Sequence, residues 1–234
     1  MGMADIQTNA EQLGVLQGML VVASELVRDE PTEEHMDALA NAGLFGNVPD
    51  GFADEALAKG FSLLGEEITR LSAAQGQAAA EEFGALQREW LRLFAGVGQP
   101  QVPSWANFYL DPESRVLGRE SLAVRDLYAK HGMQIERKGT EPDDDLGLML
   151  RFLAHLAGLQ RAGTNTQADQ ALLLREHVLP WLSAWRHAGM KHATSSFYQG
   201  VVEFTFGLVR TYAAHLGFSY KEDTRSFMEK GQQG

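Results

Sequence analysis

The chain of 234 residues contains no cysteine, which excludes disulfides, thiolate nucleophiles and cysteine-ligated zinc and fits a reducing compartment. Positive charge is also scarce: 20 Lys and Arg stand against 31 Asp and Glu, a formal charge of -11. That balance repels nucleic acid and anionic membrane surfaces and steers basic partners inward. Long hydrophobic runs are missing near the N-terminus. The longest there, Val15 to Ala23, is interrupted by Gln17 and flanked by Glu11 and Glu25, with no basic segment before it. The sequence therefore predicts neither a signal peptide nor a membrane span, and a cytoplasmic protein is expected. β-Branched residues are sparse and no stretch alternates with period two for long, which argues against a sheet.

What is present is helical periodicity in a composition that is 44% hydrophobic, enough to bury one large core or two small ones. Leu13, Leu16, Leu20, Ala23 and Val27 recur at three and four behind an Asn9/Gln12 pair of capping-box type, predicting a helix over residues 9 to 28. Thr32 opens a short helix ended by Gly43, and Asp54 precedes the stripe Leu57, Phe61, Leu64, Ile68 and Leu71. A fourth helix is expected from about Gln77 to Phe94, with Phe83, Leu86, Trp90, Leu93 and Phe94 on one face. Later ones are expected from Glu141 to near Gly163, from Gln167 to Leu179, after Pro180, and through Phe197, Val201, Phe204, Leu208 and Tyr212. The expectation is an all-α single globular domain of about eight to ten helices.

Two regions break the rhythm. "AGVGQPQVPSWANFYLDPES", Ala95 to Ser114, holds three of the seven prolines and three aromatic residues, so it cannot continue a helix. A long aromatic loop is either functional or a means of packing Trp105 into the core. "HGMQIERKGTEP" reads as a hinge, about 132–142, between an N-terminal half 1–131 and a C-terminal half 143–217, with a flexible tail 218–234.

"EPDDDLGLMLRFLAHL" places four carboxylates ahead of an apolar run. With Pro142 at the first helical position, Glu141 would be the N-cap and Asp143, Asp144 and Asp145 would fill the first turn, facing the positive end of the helix dipole. That use suits one or two acids, whereas four repel one another, so a bound metal or guanidinium is the other reading. The spacing does not match an EF-hand, and consecutive helical residues point roughly 100° apart. The seven histidines include no His-Glu-x-x-His pair. Gly-x-Ser-x-Gly, a phosphate loop and a dinucleotide fingerprint are equally missing. No enzymatic centre emerges, and a metal-dependent hydrolase built on the acid cluster is the remote alternative.

In order along the chain, "WLRLFAGVGQPQVPSWANFYLDPESRVLGRESLAVRDLY", "EPDDDLGLMLRFLAHL", "REHVLPWLSAW" and "SSFYQGVVEF" resemble signature segments of the TorD/DmsD family of redox-enzyme maturation chaperones. The resemblance runs from about Trp90 to Ala214. It implies an all-helical, non-catalytic cytoplasmic chaperone that binds the twin-arginine leader of a molybdoenzyme precursor, of the dimethyl sulfoxide or trimethylamine N-oxide reductase type, and holds it until cofactor insertion and export. No resident cofactor is implied. The partners would be the leader and precursor, with the twin-arginine export machinery a further one, and the state a monomer or a hinge-swapped dimer. An assembly chaperone acting on the mature part of a reductase or another metalloenzyme is the alternative.

Carried over by position, the resemblance implies a leader-binding surface of Trp90, Leu93, Phe94, Trp105, Tyr109, Pro142 and Asp144, with Asp145 beside them. The chain departs from the family at two of these motifs. Asp145 stands where a histidine is usual, and Ser104 where a second proline usually precedes the loop tryptophan. By spacing alone, Trp90, Leu93 and Phe94 fit an ordinary buried stripe equally well. His177 to Trp181, and Phe197 with Tyr198, are expected in core packing.

Overall fold

The computed structural model describes residues 3–96, 99–110, 119–134, 142–218 and 220. They form an all-α protein, as expected: α1 Met3–Arg28, α2 Glu33–Asn41, α3 Glu55–Ala73, α4 Gly76–Trp90, α5 Ala106–Leu110, α6 Arg119–Lys130, α7 Leu146–Arg161, α8 Gln167–Leu172, α9 Leu179–His192 and α10 Ser196–His215. A π-helical turn, Leu91–Ala95, continues α4, and a second, Leu173–Val178, joins α8 to α9. The contacts group the chain into two compact units, each assembled from separated stretches. Most of the expected hinge, and nearly all of the expected tail, lie outside the described residues.

One unit comprises Met1–Glu25, Ser104–Ala184 and Tyr212–Gly234. By length and composition Ala10–Arg28 is apolar enough to cross a membrane, but 44% of that window is buried inside the protein. Leu13, Leu16, Leu20 and Ala23 are at most 2% exposed, the expected stripe of an amphipathic core helix. The helix begins at Met3 rather than at Asn9, so position 9 falls inside it and not at its start. In α7, Leu146, Met149, Leu150, Phe152, Leu153 and Leu156 are fully buried. Tyr128 of α6 meets the Phe152 ring edge-on, with centroids 4.7 Å apart. The buried Tyr212 hydroxyl donates to Gln170 at 2.7 Å, as a buried phenol must find a partner.

The other unit comprises Leu26–Pro103 and Trp185–Thr211. Thr32 caps α2 by accepting from His35 N at 3.2 Å. Gly43, with φ +60°, ends that helix while Leu44 N reaches back to Leu39 O, the left-handed closure that glycine permits without strain. Asp54 caps α3 through Ala56 N and Leu57 N at 2.9 and 3.0 Å. The predicted α3 stripe from Leu57 to Leu71 is buried throughout. Its glycine Gly60 lies against the backbone of Phe204 on α10, where any Cβ would collide. The rings of Phe45, Phe61 and Phe204 then meet edge-to-face, with centroids 5.1 to 5.6 Å apart.

A polar knot beneath the aromatic loop

The acidic turn is not the first turn of a helix. Asp145, not Glu141, is the N-cap of α7: its Oδ1 accepts from Leu148 N at 3.1 Å. Pro142, half-buried, precedes the helix, and its carbonyl accepts from Asp145 N at 3.2 Å to close a tight turn. Glu141 lies outside the described residues. The expectation that Asp143, Asp144 and Asp145 line one helical turn is therefore corrected, and each carboxylate has a different use.

Asp143 is 4% exposed and paired with Arg125 of α6, whose Nε donates at 2.9 Å and whose Nη2 comes closer still. The guanidinium that the crowded acids call for is thus supplied by the chain itself. Arg125 is held above its already high value by this bond. Tyr128, one turn further along α6, donates its hydroxyl to Asp143 O at 2.9 Å. Asp144 is fully buried. Its Oδ2 accepts from Asn107 N at 2.8 Å and Asn107 Nδ2 at 2.9 Å, and its Oδ1 accepts from the Ser121 hydroxyl. Burial pushes its carboxyl above the usual aspartate value, and the hydrogen bonds from Ser121 and Asn107 offset only part of that rise.

The Pro/aromatic loop is tied to the same turn by backbone. Trp105 and Asp145 form an antiparallel bridge, with Ala106 N donating to Asp144 O at 3.1 Å and Leu146 N to Ser104 O at 2.6 Å. The Ser104 hydroxyl also donates to Asp145 Oδ2. Trp105 is half-buried, on a backbone hydrogen-bonded to the acidic turn, rather than fully buried in the core. Tyr109, also half-buried, stacks on Trp181 at 5.2 Å, and burial of its hydroxyl pushes the phenol well above its usual range. Pro142, Asp144, Asp145, Trp105 and Tyr109 are thereby brought into one constellation.

Trp90, Leu93 and Phe94 form a separate group in the other unit. Leu93 is fully buried and Phe94 is 5% exposed, so for these two the structure takes the core stripe rather than the surface. Phe94 stacks on Trp185 at 6.3 Å and meets Tyr198 edge-on at 5.8 Å. Trp90 is half-buried and donates its indole N–H to Val27 O at 3.1 Å. Leu93 and Phe94 lie in the π-helical turn, which leaves carbonyls for the loop: Arg92 O and Leu93 O accept from Gln101 N and Val102 N at 3.1 and 2.8 Å. Beside it, Glu89 Oε1 accepts from Thr194 N at 2.6 Å and Ser195 N at 3.2 Å, capping α10 from outside that helix. Burial raises the Glu89 carboxyl, but hydrogen bonds from Thr194 and Ser195 outweigh it, leaving the group below the usual glutamate value.

Asn107, Ser121, Arg125, Tyr128 and Glu89 were not expected at these positions. A signal for three of them exists: Ser121, Arg125 and Tyr128 recur at four and three, one polar face of a helix. Phe197 and Tyr198 are buried as expected, as is Trp181, and the Tyr198 hydroxyl and Trp185 Nε1 are buried without a hydrogen-bond partner among the described residues. Among those residues no cluster of His, Asp and Glu is arranged to hold a metal ion.

Fold and geometry together define an all-helical protein in which an aromatic loop is locked to an acidic turn by a buried carboxylate. The family model for the nitrate reductase delta subunit matches residues 54–186, more than half of the chain, and the chain belongs to that family, the one that includes the TorD/DmsD chaperones. Similar relatives include a probable Tat proofreading chaperone DmsD of Haemophilus influenzae, 30% identical over 56% of this chain and 62% of its own. The Tat proofreading chaperone DmsD of Salmonella paratyphi A is 34% identical over 50% of this chain and 55% of its own. The chaperone protein TorD of Vibrio cholerae is 30% identical over 58% of this chain and 62% of its own. The chain thus spans less than two thirds of the length of each of these relatives.

Proposed function

We propose that this protein is a cytoplasmic, non-catalytic chaperone of redox-enzyme maturation that binds the twin-arginine leader of a molybdoenzyme precursor and holds it back from export until the cofactor is in place. The observation that carries the reading is the presentation of Trp105: a half-buried tryptophan on a backbone bridged to the acidic turn. A leader joins paired arginines to an apolar stretch. Trp105 and Tyr109, with Pro142, supply apolar contact, while Asp145 supplies a partly exposed carboxylate at the helix cap. The names of the relatives, Tat proofreading chaperones among them, support the same reading.

Affinity on this reading comes chiefly from apolar burial, because an exposed arginine–carboxylate pair gives only ~0.2–1 kcal/mol while each buried side chain of leucine size gives ~1.5–3 kcal/mol. Asp144 acts from beneath: its carboxylate positions Asn107 and the loop instead of meeting the leader. Trp90, Leu93 and Phe94 remain a second candidate group, and substitution tests each group separately.

Calorimetry with synthetic twin-arginine leaders is the test, with a dissociation constant on the order of micromolar or tighter expected. An absence of heat with several leaders would promote the second reading, an assembly chaperone acting on the mature part of a reductase. The description of the family as a reductase subunit favours that alternative.

A further inference from the structure

A groove lies between α2, the turn that follows it, and α3, and none of the leader-binding candidates lines it. It encloses about 770 Å³. Its floor holds Phe45, Phe61 and Ile68, and its walls are cut back by small residues, Gly43, Gly46, Ala58 and Gly65 among them. The close approach is built in: a Cβ on Gly65 would lie 2.7 Å from Phe45 O, so a glycine there lets the turn settle against α3. The three edge-to-face rings hold Phe45 in place.

The charge around this groove is one-sided. From Asp29 to Glu67 the sequence has ten acidic residues and one basic residue, Lys59; Glu67 pairs with Arg70 and Asp54 with Arg210, and the rest leave a local acid excess. Lys59 turns to Glu203 at 2.9 Å, a carboxylate that Arg186 shares. Glu66 lines the groove and is exposed, accepting a hydrogen bond from Ser62 at 3.1 Å. Exposed Asp37 lies one turn before Ala40 of the wall, and exposed Asp50 follows Val48 of the wall by two residues. A second copy of this chain, a nucleic acid or an anionic membrane would meet like charge.

We propose that this groove docks a basic segment of a partner protein, an arginine or lysine of which lies across it. The aliphatic stem rests on Val48 and the edge of Phe45, and the cationic head reaches Glu66 and Asn47, as long basic side chains do when they cover apolar surface and keep their charge outside. The field of the surrounding acids raises the encounter rate and selects the sign of the partner. This inference does not rest on the leader-binding proposal.

The test uses the full chain and a panel of short fluorescent peptides, each with single arginines or lysines spaced between leucines, with no adjacent arginine pair, and a matched panel carrying glutamate in their place. Fluorescence anisotropy at low salt should show binding of the basic panel alone, weakened by added salt. Ser62→Trp, which fills the groove from an exposed position, and Glu66→Lys should each weaken that binding by roughly tenfold or more, about 1.4 kcal/mol. Trp105→Ala should leave it unchanged, which separates failure here from failure of the leader site. Equal binding of the acidic panel, absence of binding by the basic one, or binding that survives both groove variants would overturn the proposal. So would dimerisation that Ser62→Trp abolishes, because a second copy would then be the occupant.

Discussion

The Ser104 hydroxyl donates to the Asp145 carboxylate that caps α7. These are the two positions at which the resemblance implies a departure, and they are partners. A histidine in place of Asp145 could not accept both bonds, and a proline in place of Ser104 could not donate one. The bond ties the loop to the helix cap.

If that bond couples them, Asp145→Ala should cost ~0.5–2 kcal/mol as a lost N-cap and Ser104→Ala about 1 kcal/mol. The double variant should cost less than the sum, by about 0.5 kcal/mol or more. Urea denaturation of the four proteins checks it, and strict additivity would disconnect the pair.

Asp144 sets a pH signature. Its folded-state value is raised above the ordinary 3.8 by burial, so the folded protein holds this proton more tightly than the unfolded chain. The contribution is therefore fully present below about 3.8 and lost as pH rises through the folded value. Relative to wild type, Asp144→Asn should gain stability as pH rises across that window. Asp144→Ala should instead cost about 1–3 kcal/mol at neutral pH, because it strands the buried Asn107 and Ser121 donors. Melting curves of the three proteins between acid and neutral pH decide the sign.

Glu89 should behave oppositely. Its folded value is depressed below the ordinary 4.5, so its contribution is present above that value and fades as pH falls through the depressed one. Glu89→Ala should cost about 1–3 kcal/mol at neutral pH by uncapping α10, and the difference from wild type should shrink in acid. A pH-independent difference would mean that the charge of Glu89 has no part in the cap.

Trp105→Ala and Phe94→Ala should separate binding from packing. The bridge at Trp105 is made by backbone, so its truncation should leave the helical circular dichroism intact while weakening leader binding by ~2 kcal/mol or more. Phe94 is packed against Trp185 and Tyr198, and its truncation should cost ~3–5 kcal/mol of stability. A stable Phe94→Ala that loses leader affinity would move that residue from the core to the site.

Most of the helices, though not α5 or α6, were legible from the sequence because their causes are local. Thr32 and Asp54 cap the residues three or fewer ahead of them, and the Leu57 to Leu71 stripe needs only the 3.6-residue period to find its buried face. The break in helix before Trp105 was equally plain, since Pro100 and Pro103 forbid it, but the short helix α5, Ala106–Leu110, inside the expected loop was not. The π-helical turn at Leu91–Ala95 was not legible, because a single widened turn leaves the i, i+3, i+4 pattern of Trp90, Leu93 and Phe94 unaltered. The fate of the acids was settled only by tertiary structure. Asp143 meets Arg125 across 18 residues, and Asp144 meets Ser121 and Asn107 across 23 and 37. A carboxylate's charge is written in the sequence, but its desolvation and its donors depend on which distant segments fold against it, and those decided that Asp144 is a buried anchor while Asp145, one residue on, is a cap.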